Sequence, residues 1–279
     1  MLLFYIVNAF TNKPFKGNPA GVVMEAEMLH EKTMQNIASM LKCSETAFVM
    51  NSQRADYKLR FFSPKREVDL CGHATVATFY TMMSQGFIRK ERLKMETKAG
   101  IFDIELRGNK VFMEQAKPIF IETNISKGEI ANALGIEKAG IDDLPIEAVS
   151  TGLFSLNVPI KNLEIMQNMK PNFEKIKEVC IKNKAGAIFT FTFETINKDC
   201  LIHARCFAPL YGVNEDPVTG TANGALGAYL AKHGMLKGSS YKAEQGHEIG
   251  REGVVSVEVE EKIKIGGEAY IVIKGKINL

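Results

Sequence analysis

The chain has 279 residues, 46% hydrophobic and 24% charged, ordinary globular values that provide core material for roughly two domains. Its 35 basic and 32 acidic residues give a net charge of +3, spread without a basic run, so nucleic acid is not an expected partner. No apolar run reaches membrane-spanning length and Met1–Asn8 lacks a basic leader, so neither a membrane nor a signal peptide is expected. Five cysteines (Cys43, Cys71, Cys180, Cys200, Cys206) without a C-x-x-C predict free thiols in a cytoplasmic protein.

Met1–Asn8 reads as a first strand. Phe10 to Gly21, punctuated by Pro14, Gly17 and Pro19, reads as a loop before a short strand, Gly21–Met24. Leu29, Met34, Ile37, Met40 and Leu41 recur at helical spacing and predict an amphipathic helix over Glu31–Leu41. Thr46–Met50 is a strand with Ser44 and Glu45 at its leading edge, and Tyr57–Phe61 alternates like a half-buried strand. His73–Gln85 carries no charged residue, which predicts an enclosed helix. Leu93–Thr97, Ile101–Leu106 and Lys110–Glu114, separated by Gly100 and by Gly108-Asn109, predict an antiparallel meander.

Pro118 interrupts the strand pattern and marks a boundary, giving expected domains of 1–117 plus 268–279 and of 118–267. In the second, a helix-like stretch at Ser126–Leu134 is followed by a strand at Ser155–Ile160, a helix from Asn172 to Lys182, and strands at Ala187–Phe193 and Leu201–Phe207. A small-residue helix from Thr221 to His233 comes next, then strands from Ser240 to Ile265 with turn signals at Gly246, Gly250 and Gly253. Glu268–Lys276 could complete either half.

The two halves echo each other. Cys71-Gly72-His73-Ala74 aligns with Thr219-Gly220-Thr221-Ala222, and Ala77 and Gly86 align with Ala225 and Gly234. Upstream, Arg60-Phe61-Phe62-Ser63-Pro64 and Arg205-Cys206-Phe207-Ala208-Pro209 share R-x-F-x-P, displaced by three residues from that alignment. Two matches in the same order predict an internal duplication in which each half rolls sheet around a small-residue helix. The helix starts at Gly72 and Gly220 offer unpaired N–H groups and a partial positive charge, suited to a carboxylate or enolate oxygen.

Phe10-Thr11 with Gly17-Asn18-Pro19-Ala20-Gly21, Ser44-Glu45-Thr46-Ala47-Phe48, Asp69-Leu70-Cys71-Gly72-His73-Ala74-Thr75 and Glu215-Asp216-Pro217-Val218-Thr219-Gly220-Thr221-Ala222 occur in that order. Together with Glu244-Gln245-Gly246 and Gly250-Arg251, they resemble the PhzF-like family within the diaminopimelate-epimerase fold. The resemblance implies an α+β fold of two similar domains, each a mostly antiparallel sheet around a central helix, with the active site between them and the last strand returning to the first half. It implies Glu45 as the acid/base, with Gly72, His73, Asp216, Gly220 and Thr221 contacting substrate, and makes a homodimer the expected association. A carboxyl group in a partly apolar cleft can take a proton from one carbon and return it to another.

The epimerases of this fold pair two thiols. Cys71 stands at the first thiol position and Thr219 at the second, and a hydroxyl is a poor remover of an α-proton, so Cys71 is read as packing. Zinc on Cys200, His203 and Cys206 is not expected, because strand alternation sends His203 to the opposite face. There is no phosphate-cradling or dinucleotide glycine motif, so the expected chemistry uses no cofactor and no metal. The expectation is an isomerase moving a proton between carbons of a small carboxylate-bearing substrate. The alternatives are a thiol epimerase using Cys71 and a non-catalytic binder of small anions.

Overall fold

Strand β1 (Leu2–Ala9) buries Tyr5 and Val7 and pairs antiparallel with β2 (Asn18–Val23). The computed structural model describes residues 1–279. Although Pro14, Gly17 and Pro19 predict a loop as far as Gly21, β2 begins at Asn18. Pro19 lies one residue before the parallel pairing with β3 (Glu45–Met50) starts at Ala20, so its missing N–H falls at the start of the strand. The crossover from β2 to β3 carries α1 (Glu31–Leu41), as its periodicity predicts. Its Met34, Ile37 and Ala38 pack with Val23, Phe48 and Phe62.

β4 (Tyr57–Phe62) lies antiparallel to β3 and pairs with the two-residue β5 (Glu67–Val68). After α2 (Gly72–Ser84), β6 (Arg92–Thr97) runs parallel to β4 and continues into the expected meander through β7 (Gly100–Arg107) and β8 (Lys110–Glu114). The terminal strand, Ala269–Ile277, pairs antiparallel along all of β1. Met1–Glu114 and Gly266–Leu279 together form one unit.

Gln115–Ile265 form the second unit. β9 (Ile119–Glu122) starts directly after Pro118 and, across α3 (Lys127–Leu134), pairs antiparallel with β10 (Glu147–Ser150). β10 is antiparallel to β11 (Phe154–Pro159), which runs parallel to β12 (Ala187–Thr192) across α4 (Leu163–Asn168) and α5 (Phe173–Lys182). β13 (Ile202–Ala208) is antiparallel to β12 and to β14 (Val213–Asp216). After α6 (Gly220–Lys232), β15 (Ser240–Gln245) runs parallel to β13 and antiparallel to β16 (Gly253–Val259). Gly253 therefore opens a strand, where its residue type had suggested a turn.

From β10 onward the pairings run antiparallel, parallel, antiparallel, antiparallel, parallel, antiparallel, the same series as from β1 onward. β9 stands to β10 as the terminal strand stands to β1. The repetition in sequence is thus a repetition of topology. It extends to side chains. Arg60 forks onto Glu67 at 2.6 and 2.8 Å and covers the Phe62 ring, while Arg205 forks onto Glu215 at 2.8 Å through both nitrogens and covers Phe207. The three-residue displacement falls between these partners, where the short helical turn Pro209–Tyr211 lengthens the second copy.

Helices α2 and α6 are each 13 residues long with ten of them buried, which explains why α2 carries no charge. They solve the burial differently. In α2 the hydroxyls of Thr75, Thr78 and Thr81 each donate to the carbonyl four residues earlier at 2.7 Å, so none of these three is left unpaired. In α6, small residues let strands approach: a Cβ on Gly227 would lie 2.9 Å from Val259 Cγ2 and 3.0 Å from Val257 Cγ1.

Candidate active site

In the first unit, one strand start and one helix start bring four side chains together. Glu45 opens β3, and its register against Ala20 of β2 places Ser44 beside the start of β2. Cys71 is the extended N-cap of α2, with φ −147° and ψ 115°, and makes no side-chain cap, so His73 sits in the first turn. His73 Nε2 lies 3.3 Å from Glu45 Oε2 and 3.1 Å from Ser44 Oγ, while Ser44 donates to the Pro19 carbonyl at 3.1 Å. Cys71 Sγ lies 3.4 Å from His73 Nδ1 and 3.6 Å from Glu45 Oε2. Cys71, read as packing, is indeed buried, but what it packs against is the acid/base candidate and its histidine.

His73 is 8% exposed, and burial lowers its pKa from 6.5 to about 4, so the ring is neutral near pH 7. A neutral ring cannot hold an anion by charge. It can donate or accept one hydrogen bond at each nitrogen. The carboxylate and the serine both meet Nε2 rather than opposite nitrogens, so the Ser–His–acid relay of a serine nucleophile is not built here.

The second unit organises Asp216, Gly220 and Thr221 around the start of α6. Thr219, the N-cap, donates its hydroxyl to Asp216 Oδ2 at 2.5 Å and leaves the helix without a side-chain cap. The fully buried Gln245 ties this turn together. Its Oε1 accepts from the Thr219 N–H at 3.0 Å, and its Nε2 donates to the Asp216 carbonyl at 2.9 Å and to Thr219 Oγ1 at 3.1 Å. Asn223 adds a bond to the Thr219 carbonyl at 2.9 Å, and the Thr221 carbonyl accepts from Thr151 Oγ1 at 3.1 Å. Of the expected residues, the structure therefore gathers Glu45, Gly72 and His73 in one cluster, and Asp216, Gly220 and Thr221 in another. Ser44 and Gln245 were missed as site residues, although both lie inside motifs that carry the family resemblance.

Gly246 follows Gln245 with φ +88°, and a Cβ there would meet the Arg251 carbonyl oxygen at 2.5 Å and the Pro217 carbonyl oxygen at 2.6 Å. Both obstacles are backbone. Gly246→Ala is expected to cost at least about 2 kcal/mol, from left-handed strain plus overpacking. A urea midpoint unchanged from wild type would contradict this.

A third cluster lies on β13 and β15. His203 is fully buried, donating from Nδ1 to Glu244 Oε1 and from Nε2 to Glu248 Oε1, each at 2.8 Å. Glu244 also accepts the N–H groups of Ile196 and Asn197. Burial alone would lower the His203 pKa, but the two carboxylates outweigh it and raise it to about 9. No helix of the chain is long and apolar enough to cross a membrane, and the five cysteines are free and buried.

The family model described as phenazine biosynthesis-like protein matches residues 7–275. An uncharacterized isomerase of Bacillus subtilis is 39% identical over 274 residues, covering 96% of this chain and 92% of that protein. A PhzF-family phenazine biosynthesis protein of Bacillus anthracis superposes with a TM-score of 0.90 at 37% identity, covering 100% of this chain and 99% of the other. A predicted epimerase of Pseudomonas aeruginosa, 20% identical with 99% of each chain covered, shares the fold at a TM-score of 0.82. On the ordered motifs, the repeated topology and a match running almost from end to end, the chain belongs to the phenazine biosynthesis-like PhzF family, with the α+β fold of the diaminopimelate epimerases.

Proposed function

We propose that the protein is a cofactor-independent isomerase that moves a proton between carbons of a small carboxylate-bearing substrate, with Glu45 as acid and base. The observation that carries this reading is the half-buried Glu45 carboxylate, which meets a neutral His73 at an uncapped helix start. Gly72 and His73 in the first unit, and Asp216, Gly220 and Thr221 in the second, are the proposed substrate contacts. First-turn N–H groups suit the carboxylate, because they are unpaired donors at the positive end of the helix dipole. Glu45 takes a proton from an acidified carbon and delivers it to another, and the gain from such a positioned base is typically ~10²–10⁴-fold.

The substrate is sought by mass spectrometry of small acids retained from a metabolite extract, comparing wild type with Glu45→Gln. The expected ligand accumulates on the variant and takes up solvent deuterium only on the wild type. A bound acid that never exchanges a carbon-bound proton on the wild type would point to a binding protein instead.

The Cys71 contact with Glu45 and His73 favours one second reading, a thiol acting on the substrate. The absence of a second thiol at Thr219 weighs against it. Cys71→Ser is expected to keep most of the exchange activity, and a loss of several orders of magnitude would establish the thiol reading.

A further inference from the structure

The Ser44 hydroxyl has one hydrogen and three oxygen or nitrogen neighbours. They are the Pro19 carbonyl at 3.1 Å, Asn18 Oδ1 at 3.4 Å and His73 Nε2 at 3.1 Å. The Pro19 carbonyl can only accept. It is held in place by the β1 pairing of Asn8 with Pro19 and by the β3 pairing that starts at Ala20. The hydroxyl hydrogen therefore goes to Pro19, and a lone pair is turned towards the imidazole. Glu45 Oε2, the other group at Nε2, is also an acceptor when ionised. Two acceptors at one nitrogen require that nitrogen to carry the hydrogen. The Cys71 thiol lies 3.4 Å from Nδ1, 3.8 Å from Nε2 and 3.6 Å from Glu45 Oε2, so it touches the ring and the carboxylate together and leaves the tautomer to the two oxygen acceptors at Nε2.

From these contacts we propose that Ser44 is a positioning residue, fixing His73 as the Nε2–H tautomer so that the imidazole donates to the Glu45 carboxylate and keeps it ionised, ready to act as a base. The opposite tautomer would aim the Nε2 lone pair at the carboxylate, a repulsion relieved only if Glu45 carried the proton. The orientation of one partly buried serine thus decides which end of the proton transfer the resting enzyme occupies. The inference rests on the reading of Glu45 as acid/base and adds to it the group that sets its starting state.

Tautomers are distinguished by long-range ¹H–¹⁵N correlation spectra of the full-length ¹⁵N-labelled protein at pH 7, with His73 assigned by its disappearance in His73→Gln. Wild type is expected to show the fixed Nε2–H pattern. Ser44→Ala is expected to lose it in favour of averaged or Nδ1–H signals, and Ser44→Thr, which restores a hydroxyl, to recover it. An Nδ1–H pattern in wild type, or a wild-type pattern in a folded Ser44→Ala protein, would overturn the proposal. Because the spectrum needs no turnover, such a result leaves the acid/base reading standing. Exchange activity surviving Glu45→Gln would remove that reading without touching the tautomer.

Discussion

Glu45→Gln is expected to reduce solvent deuterium incorporation into the substrate by about 10³-fold or more, with binding retained. The amide matches the carboxylate in shape and can still meet His73 and Cys71, so the change removes proton affinity while leaving the packing near its native state. A positioned acid/base contributes roughly 10²–10⁴-fold, and here one group is asked to serve both halves of the transfer, which places the loss in the upper part of that range. The measurement is single-turnover exchange in D₂O, with ligand retention followed in parallel. Full exchange by the variant would exclude Glu45 as the acid/base.

The second large effect concerns His203. Replacing it with Gln leaves Glu244 and Glu248 buried with one cation fewer, Arg205 Nε remaining 4.0 Å from Glu248 Oε2, and breaking a buried ion pair in this way typically costs about 3–5 kcal/mol. The linkage gives a similar size: a rise from 6.5 to about 9 corresponds to about 3 kcal/mol at 1.36 kcal/mol per pH unit. The folded state holds the proton more tightly than the unfolded chain, so the contribution is complete below pH 6.5, shrinks as pH rises, and is gone above about 9. Urea midpoints of wild type and His203→Gln should therefore lie far apart at pH 6 and converge by pH 9.5. A separation that stays constant over that range would show that the imidazole is held for its shape alone.

His73 works in the opposite sense. Its pKa, lowered by burial to about 4, means that the unfolded chain binds the proton more readily between pH 6.5 and 4, so stability declines as pH falls through that window. One histidine limits the folded state on the alkaline side and the other on the acid side. The two losses meet near pH 6.5, where stability is expected to be greatest.

Long elements with a clear period were legible in the sequence. Met34, Ile37 and Leu41 located α1, and the uncharged run after Gly72 located an enclosed helix. Short elements were not. β5 has two residues, β9, β10 and β14 have four each and α4 has six, too few to show a period, and β14 is Val213-Asn214-Glu215-Asp216, a composition that reads as a loop. On β13 alternation carried no contrast in burial. It separates Cys206 from His203, but all seven residues of that strand are buried, so the face opposite the cysteine is interior too. Glu45 and His73 were accessible only because their motifs resemble a family. Ser44 and Gln245 act through hydrogen bonds to groups distant in sequence, and nothing in local composition records such partnerships.

The duplicated pairing also bears on the His203 cluster. His203 lies opposite Glu244 between parallel β13 and β15, and Lys58 lies opposite Glu96 between parallel β4 and β6, at the corresponding point of the first half. Lys58 Nζ is 3.9 Å from Glu96 Oε1 and partly exposed, whereas His203 is wholly buried. The same cation–carboxylate contact has been kept at the surface in one copy and enclosed in the other, which is why only the second is expected to weigh heavily on stability.

The place of the terminal strand has a consequence for the newly made chain. Gln115–Ile265 is contiguous, and the strands from β9 to β15 find their partners within it by Val259. Met1–Glu114 is made first, yet the outer partner of β1 is Ala269–Ile277, which follows the whole of the second unit in the chain. The later-made unit can therefore pair most of its strands first, while β1 waits with an unpaired edge, open to pairing with another chain, until Ala269–Ile277 has been made.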